Sequence, residues 1–189
     1  MSKLIIILLL VIASVVVITT LTGQTMEKLE ASRVHLPNGW SLTPAGKQLP
    51  LVDLPLNIAV SPSKKLIAVT NNGESDQSIY LIDAVNQKRL DTAIIGKAWY
   101  GLTFTADEKS LFASGGNDNW IIRYDCSDGK LVVRDTIILG KPWPEKISPA
   151  GIAYDDEKQM LYVVTKENNS LYVVDAAQKS VKNRFDLGG

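Results

Sequence analysis

From residue 56 to residue 188 the chain runs in short apolar bursts separated by polar turns, and the bursts recur in sets of four. The sets open with LNIAVS (56–61), YGLTFT (100–105) and AGIAYD (150–155), each leading into a polar turn: SPSKK (61–65), TADEK (105–109) and DDEKQ (155–159). Second bursts follow at LIAVT (66–70), LFAS (111–114) and LYVVT (161–165), and after each comes a loop rich in Asn, Asp or Gly. Third bursts are SIYLID (78–83), WIIRYD (120–125) and SLYVVD (170–175), each closing on Asp. Fourth bursts are RLDTAIIG (89–96), VRDTIILG (133–140) and VKNRFDLG (181–188), each closing on Gly. Short segments rich in β-branched and aromatic residues between turn residues read as strands. No sustained i, i+3, i+4, i+7 apolar pattern occurs after residue 30, which excludes a helical solenoid.

Four antiparallel strands per unit, repeating every 42 to 50 residues, is the pattern of a β-propeller blade. The expected fold is all-β: three four-stranded blades of an incomplete ring. Small residues such as Ala59 and Ala153 suit a crowded innermost strand. Runs such as LYVV suit middle strands packed on both faces. The charged fourth bursts suit an outer edge that discourages stray pairing. Upstream, turns are expected at Pro37-Asn38-Gly39 and Ala45-Gly46, and KQLPL (47–51) occupies the place of an outer strand that would close the ring.

Composition adds an address. MSKLIIILLLVIASVVVITTLT (1–22) has one charge, Lys3, and then an apolar run from Leu4 to Ile18 interrupted only by Ser14, the build of a signal peptide or an N-terminal membrane anchor. An apolar helix is expected there. The organisation predicted is a leader (1–23), an N-terminal segment with the closing strand (24–53) and blades one to three (54–189). The expected location is periplasmic or extracellular, with residues 4–22 as the only route to a membrane. With 20 basic and 20 acidic side chains and no basic block, nucleic acid is not an expected partner. The one cysteine, Cys126, has no partner for a disulfide and no nearby base, and His35 is far away in sequence.

The motifs VSPSKKLIAVTNN (60–72), SIYLIDAVNQKRLDTAIIG (78–96) and LYVVTKENNSLYVVDAAQKSV (161–181) resemble the YVTN-type β-propeller family of exported bacterial proteins, over about residues 36–189. The first turns depart from the family pattern by lacking its Gly. LPNGWSLTPAGKQLPLVDLPLNIAVSPSKKLIAVTNNGESDQSI (36–79) and FASGGNDNWIIRYD (112–125) are similar to the front of a two-domain form, in which the propeller precedes an alkaline-phosphatase-superfamily phosphoesterase. That resemblance implies a divalent-metal catalytic domain beyond residue 189, with no catalytic residue and no cofactor in these 189.

One face of such blades gathers NNGESDQ (71–77), GKAWY (96–100), GGNDN (115–119), GKPWPEKISPA (140–150) and KENN (166–169). Amides, carboxylates and aromatic planes on irregular backbone make a binding surface. The candidate ligand face is Asn72, Asp76, Trp99, Tyr100, Asn117, Asp118, Asn119, Trp143 and Asn168. The same residue types also serve tight turns, so packing is the competing role. NDN (117–119) and DDE (155–157) are the clusters that suggest a cation, neither with a full loop spacing. Asp83, Asp125 and Asp175 each begin a turn and are expected to accept backbone N–H groups two residues on.

The expected function is a non-catalytic binding and scaffold module of a larger exported protein, whose partners are the remaining blades and a C-terminal phosphoesterase. Alternatives are a propeller enzyme in its own right, of lactonase or quinone-dependent dehydrogenase type, and an adhesive or surface-layer propeller without an enzyme.

Overall fold

A computed structural model describes residues 26–43 and 47–188. The predicted leader and its apolar helix lie outside the described residues, as does the predicted turn at Ala45-Gly46. Among the described residues no helix is long and apolar enough to cross a membrane. The chain divides into two compact units, one ending at Gln48 and one beginning at Leu49.

The first unit holds a short helix, α1 (Met26–Ala31), and a hairpin of β1 (Val34–His35) and β2 (Ser41–Leu42). The predicted Pro37-Asn38-Gly39 turn is the tip of this hairpin. Gly39 takes φ +81° and donates to the Leu36 carbonyl at 3.0 Å, a left-handed conformation that glycine adopts at little cost.

The second unit contains three four-stranded antiparallel sheets in simple sequence order. Blade one is β3 (Pro55–Val60), β4 (Leu66–Asn71), β5 (Ser78–Asp83) and β6 (Lys88–Ile94). Blade two is β7 (Leu102–Phe104), β8 (Ser110–Ser114), β9 (Trp120–Asp125) and β10 (Val132–Ile138). Blade three is β11 (Pro149–Asp155), β12 (Met160–Thr165), β13 (Ser170–Asp175) and β14 (Ser180–Asp186). The described residues thus hold four sheets, three of four strands and one two-stranded hairpin, where the repeat predicted three blades and a lone closing strand. KQLPL is not a strand. Pro50 has no N–H to give a ladder, and Leu49 and Leu51 instead lie against Val69, Tyr80 and Ile82 on blade one.

Alternation along the middle strands divides them between two cores. In β8, Leu111 and Ala113 join Ala68, Ile79, Leu81 and Tyr124 in the core between blades one and two. Phe112 points the other way, into a core with Ile121, Ile137, Leu161, Val163 and Tyr172 between blades two and three. Every residue of β8 is buried, as expected for a strand covered on both sides. Blade three differs from the expectation. In LYVV (161–164) Leu161 and Val163 are fully buried while Val164 is exposed, and Ala153 is exposed beside them. The far face of blade one likewise exposes Ile58 and Val60.

The turns explain the recurring polar residues. Asp83 accepts the N–H groups of Val85 and Asn86 at 2.9 Å, Asp125 that of Ser127 at 2.9 Å, and Asp175 that of Gln178, three residues on, at 2.7 Å. The first turns contain no glycine yet take a left-handed conformation: Lys64, Glu108 and Gln159 have φ +62°, +62° and +54°. The same turns latch blade to blade. Glu108 of blade two accepts the N–H and hydroxyl of Ser63 in blade one, and Asp156 of blade three accepts the Ala106 N–H of blade two at 2.8 Å. Asp155 and Asp156 of DDEKQ therefore work within the protein, as the Lys158 N–H also donates to Asp155 at 3.0 Å.

These hydrogen bonds hold Asp83, Asp125, Asp155, Asp175 and Glu108 below the ordinary carboxyl range, the backbone N–H bond being the largest cause in each. Depressed folded-state values mean that the unfolded chain binds protons more readily, so their contribution is complete above the unfolded values and lost as pH falls from those through the lower folded ones. Thermal stability is therefore expected to be level from about pH 7 to about pH 5 and to decline steeply below about pH 4. Melting curves across that range check it, and a melting temperature that holds steady to about pH 3 would contradict the turn assignment.

Candidate ligand-binding face

The five loops on one side of the blades are tied by specific bonds in two groups, 71–77 with 96–100, and 115–119 with 140–150 and 166–169. The 72–77 loop is moored by Asp53, whose carboxylate accepts the Glu74 and Ser75 N–H groups at 2.5 and 3.1 Å and the Ser75 hydroxyl. That hydroxyl is the main cause holding Asp53 below its usual range. A Cβ on Gly73 would lie 2.1 Å from the Asp53 carboxylate, so the loop needs glycine there. Gln77 at the loop's end accepts the Ala98 N–H through Oε1 at 2.6 Å, fixing the connection that carries Trp99.

Asn119 is the central fastener. It ends a 3-10 turn (Gly116–Asp118) in the left-handed conformation, φ 58°, and is 0% exposed. Its Nδ2 donates to the carbonyls of Lys141 and Glu145 at 2.6 and 2.7 Å, and its Oδ1 accepts the Ser148 N–H at 2.8 Å. Buried Ser148 extends the chain of contacts. Its hydroxyl donates to Asn117 Oδ1 at 2.9 Å and its carbonyl accepts the Lys166 N–H at 3.0 Å. Loops of blades two and three are joined through these two residues.

Above them opens a cavity of about 300 Å³. Each of the five loops contributes: Asn72 and Gln77, Lys97 and Trp99, Asn117, Trp143 and Ser148, and Lys166 with Glu167. Lys166 Nζ stands 5.5 Å from the centre of the Trp99 ring and 3.2 Å from the Glu167 carboxylate, and Lys146 Nζ stands 5.5 Å from the Trp143 ring. Trp143 is 57% exposed.

Of the nine residues proposed from sequence, Asn72, Trp99, Asn117 and Trp143 line this cavity. Asn119 lies buried, bonded to the loops that form it. The other four stand outside its lining. Asp76 is exposed on its loop, and Asp118 is half-buried in the 3-10 turn. Tyr100 is exposed, with its carbonyl accepting the Asn57 amide at 2.6 Å. Asn168 bonds the Thr165 and Tyr172 hydroxyls at 2.5 and 2.8 Å, an internal role. Gln77, Lys97, Ser148, Lys166 and Glu167 were missed. Lys97 had a signal, since a Lys follows the closing Gly in both GKAWY and GKPWP; a choice limited to Asn, Asp and aromatic types passed over it. Within NDN, Asn119 spends both side-chain ends on backbone groups. Among the described residues no three His, Cys, Asp or Glu side chains group as metal ligands. Cys126 is buried, its thiol pushed up to about 11 chiefly by burial, with Sγ 3.1 Å from the Glu108 carbonyl.

Solved structures with this arrangement include Kuenenia stuttgartiensis hydrazine synthase (TM-score 0.58, 19% identity, 75% of this chain and 38% of that one). U3-55K matches at TM-score 0.59 and 16% identity, over 77% of this chain and 41% of that one. The WD40 repeats of RRP9 match at 0.56 and 15%, over 72% and 40%. The fold is propeller-like. The chain spans about two fifths of the length of these structures, and at such identities the likeness concerns the fold alone. No protein-family model matches the chain, and no curated protein sequence does.

Proposed function

We propose that this chain is the non-catalytic binding and scaffold part of a larger exported propeller protein, with its ligand taken on the loop face. The observation that carries this reading is the cavity to which all five loops of that face contribute, with two tryptophans and several polar side chains at its walls. Aromatic planes with a few placed polar groups in a concave site are the usual make-up of a binding pocket. Further blades of the same repeat are the partners proposed for the exposed apolar faces of blades one and three. Export rests on the leader. A metal-dependent phosphoesterase beyond residue 189 rests on the two-domain resemblance, and aryl-phosphate hydrolysis confined to a longer form and abolished by chelator is its test.

The binding face is tested with immobilised oligosaccharide and peptide arrays. The full chain is expected to retain at least one compound class, and Trp143→Ala to weaken that retention at least about tenfold. Because Trp143 is mostly exposed, the same variant is expected to leave stability within about 0.5 kcal/mol. Retention of nothing by the wild type, or a Trp143→Ala chain that binds normally but melts early, would overturn the reading.

A further inference from the structure

We infer that the cavity is built for an anionic saccharide, a short chain of hexuronate residues; this rests on the binding-face reading above. Three observations converge on that chemistry.

The first is the sign of the unspent hydrogen-bonding groups. A backbone N–H can only donate, so the Ala98 bond pins Gln77 Oε1 as the acceptor and leaves its Nε2 free to donate. Asn117 Oδ1 accepts the Ser148 hydroxyl at 2.9 Å, and its Nδ2 has N–H groups to give. What these amides still offer are N–H donors, which suit a ligand rich in acceptor oxygens.

The second is charge. Lys97 and Lys166 line the cavity against the single carboxylate of Glu167. Glu167 is paired with Lys166 at 3.2 Å, whereas Lys97 forms no ion pair with any described residue. An anion entering here would give the Lys97 ammonium an ion-pair partner.

The third is the pairing of aromatic planes with cations. Trp99 has the Lys166 ammonium, and Trp143 the Lys146 ammonium, each 5.5 Å from its ring centre. In each pair the ammonium stands over the ring, so a flat electron-rich surface and a positive charge lie together. A pyranose uronate combines the complements, a C–H face that lies on a π surface and a carboxylate at its edge. Two tryptophans and two lysines, Lys97 and Lys166, line the one cavity, which suits two successive uronates, and about 300 Å³ is the size of a small ligand rather than a folded partner. Ring hydroxyls have acceptors in Asn72 and Glu167. An acidic peptide would satisfy the charges but would leave the two planes without flat counterparts.

The experiment is a tryptophan-fluorescence titration of the full chain with tri-galacturonate, its fully methyl-esterified form and a tri-glutamate peptide. Tri-galacturonate is expected to bind at least tenfold more tightly than the ester, and Lys97→Gln to reduce that ratio to threefold or less without moving the melting temperature. Equal binding of acid and ester would overturn the anionic assignment while leaving the binding face intact. Binding of tri-glutamate alone would overturn the saccharide class. No response to any of the three overturns the ligand assignment, and only the absence of any ligand on the arrays as well would take the binding-face reading with it.

Discussion

Asn119→Ala is expected to destabilise the chain by about 3 kcal/mol, enough to lower the melting temperature by roughly 6–12 °C for a chain of this size. The side chain, itself 0% exposed, makes three bonds: two to the carbonyls of Lys141 and Glu145 and one from the Ser148 N–H. Alanine would leave all three partners unsatisfied, each at a cost of about 1 kcal/mol or more. It would also have to hold φ 58°, which asparagine tolerates better than alanine. Asn119→Gly isolates the hydrogen-bond part, since glycine accepts the angle, and should recover about 1 kcal/mol of the loss. Asn119→Asp keeps the acceptor for Ser148 but sets a carboxylate against two carbonyl oxygens, so it should be at least as harmful as alanine at neutral pH. The loss should begin in the 139–148 connection, detected as faster exchange of the Leu139 and Ser148 amides, and it should displace Trp143 from the cavity. A melting temperature within about 2 °C of the wild type would show that the loop face is held some other way.

That prediction also marks how far the sequence could be read. Strand positions and blade order were legible because the strand signal is local: alternating β-branched and aromatic residues between turn residues, repeated three times, with Asp and Gly closing the same strands. The Asx turns at Asp83 and Asp125 followed from side-chain reach alone. KQLPL misled because its alternation resembles a strand while Pro50 prevents the ladder, and its leucines found apolar cover on blade one instead. At the loop face the sequence showed which segments would meet but not how each side chain would be spent. Asn117 and Asn119 are two residues apart and of the same type, yet one lines the cavity and the other is buried bonding backbone. The difference is set by contacts some 20 to 30 residues away, at Lys141, Glu145 and Ser148, which no local pattern encodes.

Gly101→Ala is the second change expected to be severe, at the upper end of the about 1–3 kcal/mol that overpacking costs. A Cβ at Gly101 would sit 2.3 Å from the Ala150 carbonyl oxygen and 2.6 and 2.8 Å from two carbons of Ile152. The side chain of Ile152 can turn aside, but the carbonyl belongs to β11 and cannot. Gly101 is itself held in place, its carbonyl accepting the Ser114 N–H at 2.9 Å and its N–H donating to the Ser114 hydroxyl at 3.2 Å. Blades two and three would have to separate, loosening the core around Phe112 and Leu161. Gly96→Ala is the control, since its nearest neighbour would be 3.6 Å away, and it should be neutral or slightly stabilising. The repeat gives the comparison its reach. Asn57, Gly101 and Gly151 occupy one repeat position, and in the first two the contact is with the carbonyl one residue earlier in the next blade: the Asn57 amide on Tyr100, and Gly101 against Ala150. In the described structure a Cβ on Gly151 would meet only the Val164 side chain, at 3.0 Å. Gly151→Ala should therefore be mild in this 189-residue chain. If a further blade packs on blade three in a longer form of the protein, the same change there should become as costly as Gly101→Ala. A Gly151→Ala effect that stays mild in the longer form would mean that blade three's open face takes something other than a fourth blade.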